Sequence, residues 1–166
     1  MSHARPASAV LTPTDQLLEL LNRAKLLARQ YRDLTGRPLG ITAEAARVEA
    51  ARLLHLELSP ARNAGYDAIR RVAGGVERLQ IKGRVLHSEA GAERMGTMKK
   101  AKEWDAVLLV ILDENYDASL IFEASRAVLI AEMTREGADA KARARGALIV
   151  QSFCQIARQI WPPLPA

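Results

Sequence analysis

The chain has 166 residues, 49% hydrophobic and 26% charged, a profile typical of a soluble single domain large enough to bury a core. A formal charge of +5 and a pI near 9.7 favour an anionic partner such as nucleic acid, although the same excess serves solubility. Aromatic residues at 4% argue against a stacking platform for single strands, and the single cysteine, Cys154, excludes an internal disulfide.

The first dozen residues are rich in Ser, Ala and Pro and hold no long apolar stretch, so residues 1–12 read as a flexible tail without signal-peptide character. No apolar run approaches the roughly 20 residues a spanning helix needs, and a cytoplasmic protein is the expectation. Thr12-Pro13-Thr14-Asp15 marks a helix start, Leu17, Leu18, Leu20, Leu21, Ala24, Leu27 and Ala28 give an apolar stripe running toward Leu34, and Gly36 stops the helix. A second helix, from about Thr42 to Leu56, is rich in alanine and suited to close packing on a sheet. It carries Glu44 and Glu49.

Tyr66 to Val72 then reads as a strand, Gly74-Gly75 as a tight turn, and about Val76 to Val85 as the returning strand. If the two glycines form the loop, Val72 pairs with Glu77, Ile69 with Gln80 and Asp67 with Lys82. Alternation places Gln80, Lys82 and Arg84 on one face and Leu79, Ile81 and Val85 on the other, with Asp67 sharing the polar face. Arg94 to Lys102, which includes Lys99 and Lys100, reads as a basic loop positioned to approach phosphate. Trp104 to Leu112 is apolar on both faces, as a central strand requires. Asp113 to Asp117 turns the chain and Ala118 to Phe122 is the next strand. Helices are expected near Ser125 to Arg135 and Ile149 to Ile160, and a second basic run, Lys141 to Gly146, reads as a solvated face. The expected architecture is one α/β domain over residues 13–161, a short mixed sheet flanked by helices, with 162–166 as a tail.

The conjunction of an acid and a Gln-x-Lys strand has chemical content. A hard cation such as Mg2+ or Mn2+ takes oxygen ligands, which Asp67 supplies as carboxylate, Gln80 as amide oxygen and Ile81 as backbone carbonyl. Lys82 would stand beside the attacking water and offset charge on a phosphate, while Arg84 further along the face could hold that phosphate. The bland alternative is an ordinary cross-strand ion pair. His3, His55 and His87 lack metal-ligand spacing, His87 reading as a loop residue and at most an accessory phosphate contact. Cys154, Trp104 and Trp161 read as packing residues. Asp105 and Glu123, acids near strand ends, are assigned no role.

A helix carrying glutamate, then an aspartate strand, a Gln-x-Lys strand and a long buried strand, in that order, resembles the PD-(D/E)XK superfamily of restriction-endonuclease-like nucleases. Asp67 matches the superfamily's first acid, Gln80 its second ligand position and Lys82 its lysine, and Glu44 or Glu49 matches the helix glutamate. The two glutamates lie roughly 140° apart around the helix axis, so they cannot both face one ion, and Glu44 is favoured as nearer the helix start. Gly40 to Trp161 is more closely similar to a small group of bacterial proteins with that core, which implies no particular activity. The chain departs from the pattern in having no proline before Asp67 and a neutral Gln80 where an acid is usual, the second implying weaker cation binding. The resemblance implies a restriction-endonuclease-like core, Mg2+- or Mn2+-dependent hydrolysis of DNA phosphodiesters, basic contacts from Arg84, Arg94, Lys99, Lys100 and Lys102, and, by analogy, a homodimer. The alternatives are a catalytically inactive nucleic-acid-binding module on the same fold, or a protein-interaction subunit of a multi-protein system.

Overall fold

The structure, a computed structural model, describes residues 12–60, 65–85, 93–98, 102–137 and 140–164. His3, His87, Lys99 and Lys100 lie outside the described residues.

Helix α1 (Pro13–Thr35) starts where the local signals place it. Thr12 Oγ1 accepts from the Asp15 N–H at 3.2 Å, and the Asp15 carboxylate accepts from the Thr12 N–H at 3.0 Å, so two otherwise orphaned donors are satisfied. Gly36, at φ 68°, closes the other end by donating to the Arg32 carbonyl. The apolar stripe divides. Leu21 and Ala28 reach the interior with Lys25 between them, whereas Leu17, Leu20, Leu27 and Leu34 remain 40 to 86% exposed. One flank of α1 rests on α2 (Thr42–Leu54), and a helix touching its neighbour along one flank buries only that flank.

Six strands form the main sheet: β1 (Glu57–Leu58), β2 (Ala68–Val72), β3 (Gly75–Val85), β5 (Ala106–Leu112), β6 (Ala118–Ser125) and β8 (Arg158–Trp161), in that spatial order. Only the β3–β5 pair is parallel, so the sheet is mixed and the class α/β, as expected. All seven residues of β5 are buried. Leu108, Val110 and Leu112 face a cluster containing Ala45, Ala46 and Ala50 of α2. Val107, Leu109 and Ile111 face a second cluster, with Leu129 and Met133 from α3 (Arg126–Thr134) and Phe153 from α5 (Val150–Ile156). A short ribbon, β4 (Arg94–Thr97) with β7 (Ala147–Ile149), adds Met95 and Leu148 to that cluster, and α4 (Ala140–Ala144) precedes β7.

Four expectations change. The hairpin pairs Val72 with Gly75 and Ile69 with Arg78, because Gly74 alone takes a positive φ, 87°, and Gly75 joins the ladder as a strand residue. Relative to the expected pairing of Val72 with Glu77, each residue moves two positions, which preserves the faces. Arg94 to Thr97 is a strand, its backbone bonded to β7. The helix expected over Ile149 to Ile160 ends at Ile156, and Arg158 to Trp161 pairs antiparallel with β6, the edge of β6 drawing this segment out of its helical period. Finally, β6 runs three residues past Phe122 to Ser125, which caps α3.

Alanine-rich α2 lies so close to β3 that a Cβ on Gly83 would stand 2.5 Å from the Ala46 Cβ and 2.8 Å from the Thr42 carbonyl oxygen. Gly83→Ala must push helix and sheet apart and is expected to cost about 1–3 kcal/mol in urea unfolding. Unchanged stability would show that α2 does not approach β3 as described. Among the described residues no helix is long and apolar enough to cross a membrane.

Candidate active site

Asp67 stands one residue before β2, and continuing the ladder one step sets it beside Gln80 rather than Lys82. Its backbone N–H donates to the Leu79 carbonyl at 2.8 Å, and its Oδ2 accepts from the Ile81 N–H at 2.7 Å. The carboxylate is thereby fixed along β3. Ile81 thus contacts Asp67 through its N–H.

Gln80 is buried. Its Nε2 donates to the Gly65 carbonyl at 3.0 Å, while its Oε1 is enclosed with no hydrogen-bond partner among the described residues. An enclosed amide oxygen without a donor carries a desolvation cost, and a cation or a donor from a ligand would relieve it.

Lys82 follows on the same face of β3, half-buried, its Nζ donating to the Thr97 carbonyl of β4 at 3.2 Å. Burial pushes the pKa of its ammonium below the ordinary lysine value; the Asp67 charge opposes that shift and Arg84 adds to it. Arg84 Nε donates to the Arg94 carbonyl at 2.7 Å, so Lys82 and Arg84 both tether β4 over β3. The Arg94 side chain is exposed and that of Lys102 half-exposed at the start of the segment leading to β5.

Of the two helix glutamates, Glu44 belongs to this neighbourhood. Its Oε1 accepts from Arg47 Nη1 at 2.8 Å, and Arg47 Nε lies 3.7 Å from Asp67 Oδ1. Glu49 is engaged elsewhere. Oε1 accepts from Lys25 Nζ at 2.7 Å and Oε2 from Arg52 Nη2 at 2.7 Å, with Lys25 also donating to Asp117 Oδ1 at 2.6 Å. Burial alone would raise the Glu49 pKa, but the bonds from Lys25 and Arg52 outweigh it and hold the group below the ordinary glutamate value. Both carboxylate oxygens are engaged, Oε1 in joining α1 to α2 through Lys25 and Oε2 within α2 through Arg52.

Sequence reasoning overlooked Arg47. The signal was its i,i+3 spacing from Glu44, which on a helix makes the two side chains neighbours. Asp105 and Glu123 serve as structural partners: Asp105 accepts from the Arg78 backbone N–H at 2.7 Å and is held below its ordinary pKa chiefly by that bond, and Glu123 Oε2 accepts from Arg70 Nη1 at 2.7 Å. Trp104 is buried beneath the Arg126 guanidinium, 4.5 Å from its ring centroid, and Cys154 packs against the α3–α5 cluster, where burial raises its thiol pKa. Both are packing residues.

The donors near Asp67 fit a hard divalent cation that keeps much of its water. Asp67 offers Oδ1, which lies 3.7 Å from Arg47 Nε, and Gln80 offers the enclosed Oε1. Among the described residues no group of three or more His, Cys, Asp or Glu side chains is assembled, and the candidate ligands there are one carboxylate and one amide. No protein-family model matches the chain, and no curated protein is similar to it in sequence.

Proposed function

We propose that this protein is a nuclease hydrolysing DNA phosphodiesters with the help of Mg2+ or Mn2+, on a restriction-endonuclease-like core and in the cytoplasm. The observation that carries the reading is the meeting of an enclosed, unpartnered Gln80 oxygen with a carboxylate, Asp67, and a lysine, Lys82, whose ammonium is disfavoured by burial. Asp67 and Gln80 would hold the metal, with Glu44 close by through Arg47, and the metal would supply Lewis-acid polarisation of the phosphate. Lys82, released from the Thr97 carbonyl, takes a proton from water as the water oxygen bonds to phosphorus and the bond to the departing sugar oxygen breaks, that oxygen then taking a proton from solvent. Arg84, Arg94 and Lys102 bind phosphate oxygens, and Lys99 and Lys100, which lie outside the described residues, add basic charge to the same stretch of sequence. A homodimer would let two such sites address both strands.

A second reading, a binding module without turnover, is favoured by Arg47. Its guanidinium stands 3.7 Å from Asp67 Oδ1, supplying positive charge where a cation would otherwise be needed beside a neutral Gln80.

The test is cleavage of single- and double-stranded DNA and RNA with Mg2+ or Mn2+, comparing the wild type with Asp67→Ala. Metal-dependent cutting by the wild type and none by the variant is the expected result. Salt-sensitive DNA binding without any cutting would transfer the conclusion to the second reading, and absence of both would sink each of them.

A further inference from the structure

Six of the ten large apolar side chains exposed among the described residues lie on α1: Leu17, Leu20, Leu26, Leu27, Tyr31 and Leu34. Leaving Leu26 aside and adding Ala24 gives positions 17, 20, 24, 27, 31 and 34, alternating steps of three and four. That is the a/d spacing of a helix-pairing seam, running from Leu17 to Leu34 of α1. The seam lies away from the flank through which Leu21, Lys25 and Ala28 meet the body of the domain.

We propose that this face of α1 pairs with α1 of a second copy of the chain. A two-fold axis crossing the helix between Lys25 and Leu26 brings the seam onto itself in antiparallel register. Leu17 then meets Leu34, Leu20 meets Tyr31, and Ala24 meets Leu27, each layer occurring twice. The small Ala24 opposite Leu27 gives the alternation of size that lets two helices approach. The five exposed large side chains of the seam, Leu17, Leu20, Leu27, Tyr31 and Leu34, present about 500 Å2 per copy, within the range of the largest patch on an ordinary monomer. Covering both copies removes roughly 1,000 Å2, the least that a specific interface needs. The only charged residue in the three positions beside the seam on its open side, Gln16, Arg23 and Gln30, is Arg23, so nothing there selects an oppositely charged partner. The choice of a second copy rests on the seam's own two-fold register. The proposal is independent of the nuclease reading, since association is read without metal or substrate.

Sedimentation velocity of the full chain is expected to show a dimer at micromolar concentration. Leu20→Glu/Leu27→Glu places a charge in four of the six layers and is expected to raise the dimer Kd at least ~100-fold, leaving a monomer with unchanged helical circular dichroism. Val72→Glu/Val76→Glu, which alters exposed apolar residues on the β2–β3 hairpin, is expected to stay dimeric. A wild type that is monomeric up to ~100 μM, or a dimer that survives the α1 substitutions, overturns the proposal.

Discussion

Replacing Lys82 by methionine is expected to reduce metal-dependent cleavage by about 10²- to 10⁴-fold, the range for loss of a positioned proton acceptor, while raising thermal stability at neutral pH. The two effects share one cause. Burial lowers the lysine's pKa, so the folded chain binds its proton less readily than the unfolded chain. Between the folded pKa and the ordinary lysine value the unfolded state holds more protons, and stability therefore rises with pH. Below that window the cost is present in full; above the ordinary value it vanishes. Methionine keeps the aliphatic bulk and carries no charge, so its advantage should be greatest near pH 7 and shrink as pH rises through the window. Wild-type cleavage should climb over the same range as the neutral amine becomes more populated. Melting curves and initial rates of both proteins from neutral to strongly alkaline pH decide the matter. A variant less stable than the wild type at pH 7 would show that Lys82 contributes to folding and does not strain it.

The second large effect concerns stability alone. Lys25→Met leaves the Glu49 carboxylate 4% exposed beside Arg52 with its buried cation gone, and breaking one side of a buried ion pair typically costs about 3–5 kcal/mol. For a domain of this size that corresponds to a fall in Tm of roughly 10 °C or more. The pH dependence has a definite sign. In the wild type, Glu49 has a lowered pKa, so its stabilising contribution is complete above the ordinary glutamate value and is lost as pH falls through the folded pKa. Without Lys25 only Arg52 opposes the effect of burial, and Glu49 protonates at higher pH than in the wild type. The deficit of the variant should therefore be largest at neutrality and smaller in mild acid. Lys25→Met/Glu49→Gln, which removes the stranded charge, should recover part of the loss. Urea unfolding at the two pH values checks this, and a deficit independent of pH would mean that Glu49 does not depend on Lys25.

Local chemistry was legible in the sequence wherever it was self-contained. The Thr12/Asp15 cap, the Gly36 stop and the doubly apolar run of β5 each depend on residues within one or two turns, and each lies where its pattern puts it. The hairpin was legible up to a two-residue ambiguity, because adjacent glycines leave open which of them takes the positive φ. The alternation of side chains survives a shift of two, so Asp67, Gln80 and Lys82 stay on one side of the ladder. The β8 segment was not legible, since its apolar run fits a helix until the exposed edge of β6 is present to bond it. Nor could the sequence divide Glu44 from Glu49 beyond proximity to the helix start. That division rests on Lys25, 24 residues before Glu49, and on Asp117, 92 residues after Lys25, meeting on one side of α2 while Arg47 turns toward Asp67.

The main sheet ends at both margins in very little strand. β1 offers two residues, with the Arg71–Glu57 ion pair lying at that margin, and β8 offers four before Pro162 and Pro163 remove the next donors. An incoming extended segment finds too few backbone groups to hold it. Association of folded copies is therefore expected to proceed through side chains rather than by extension of the main sheet at its margins.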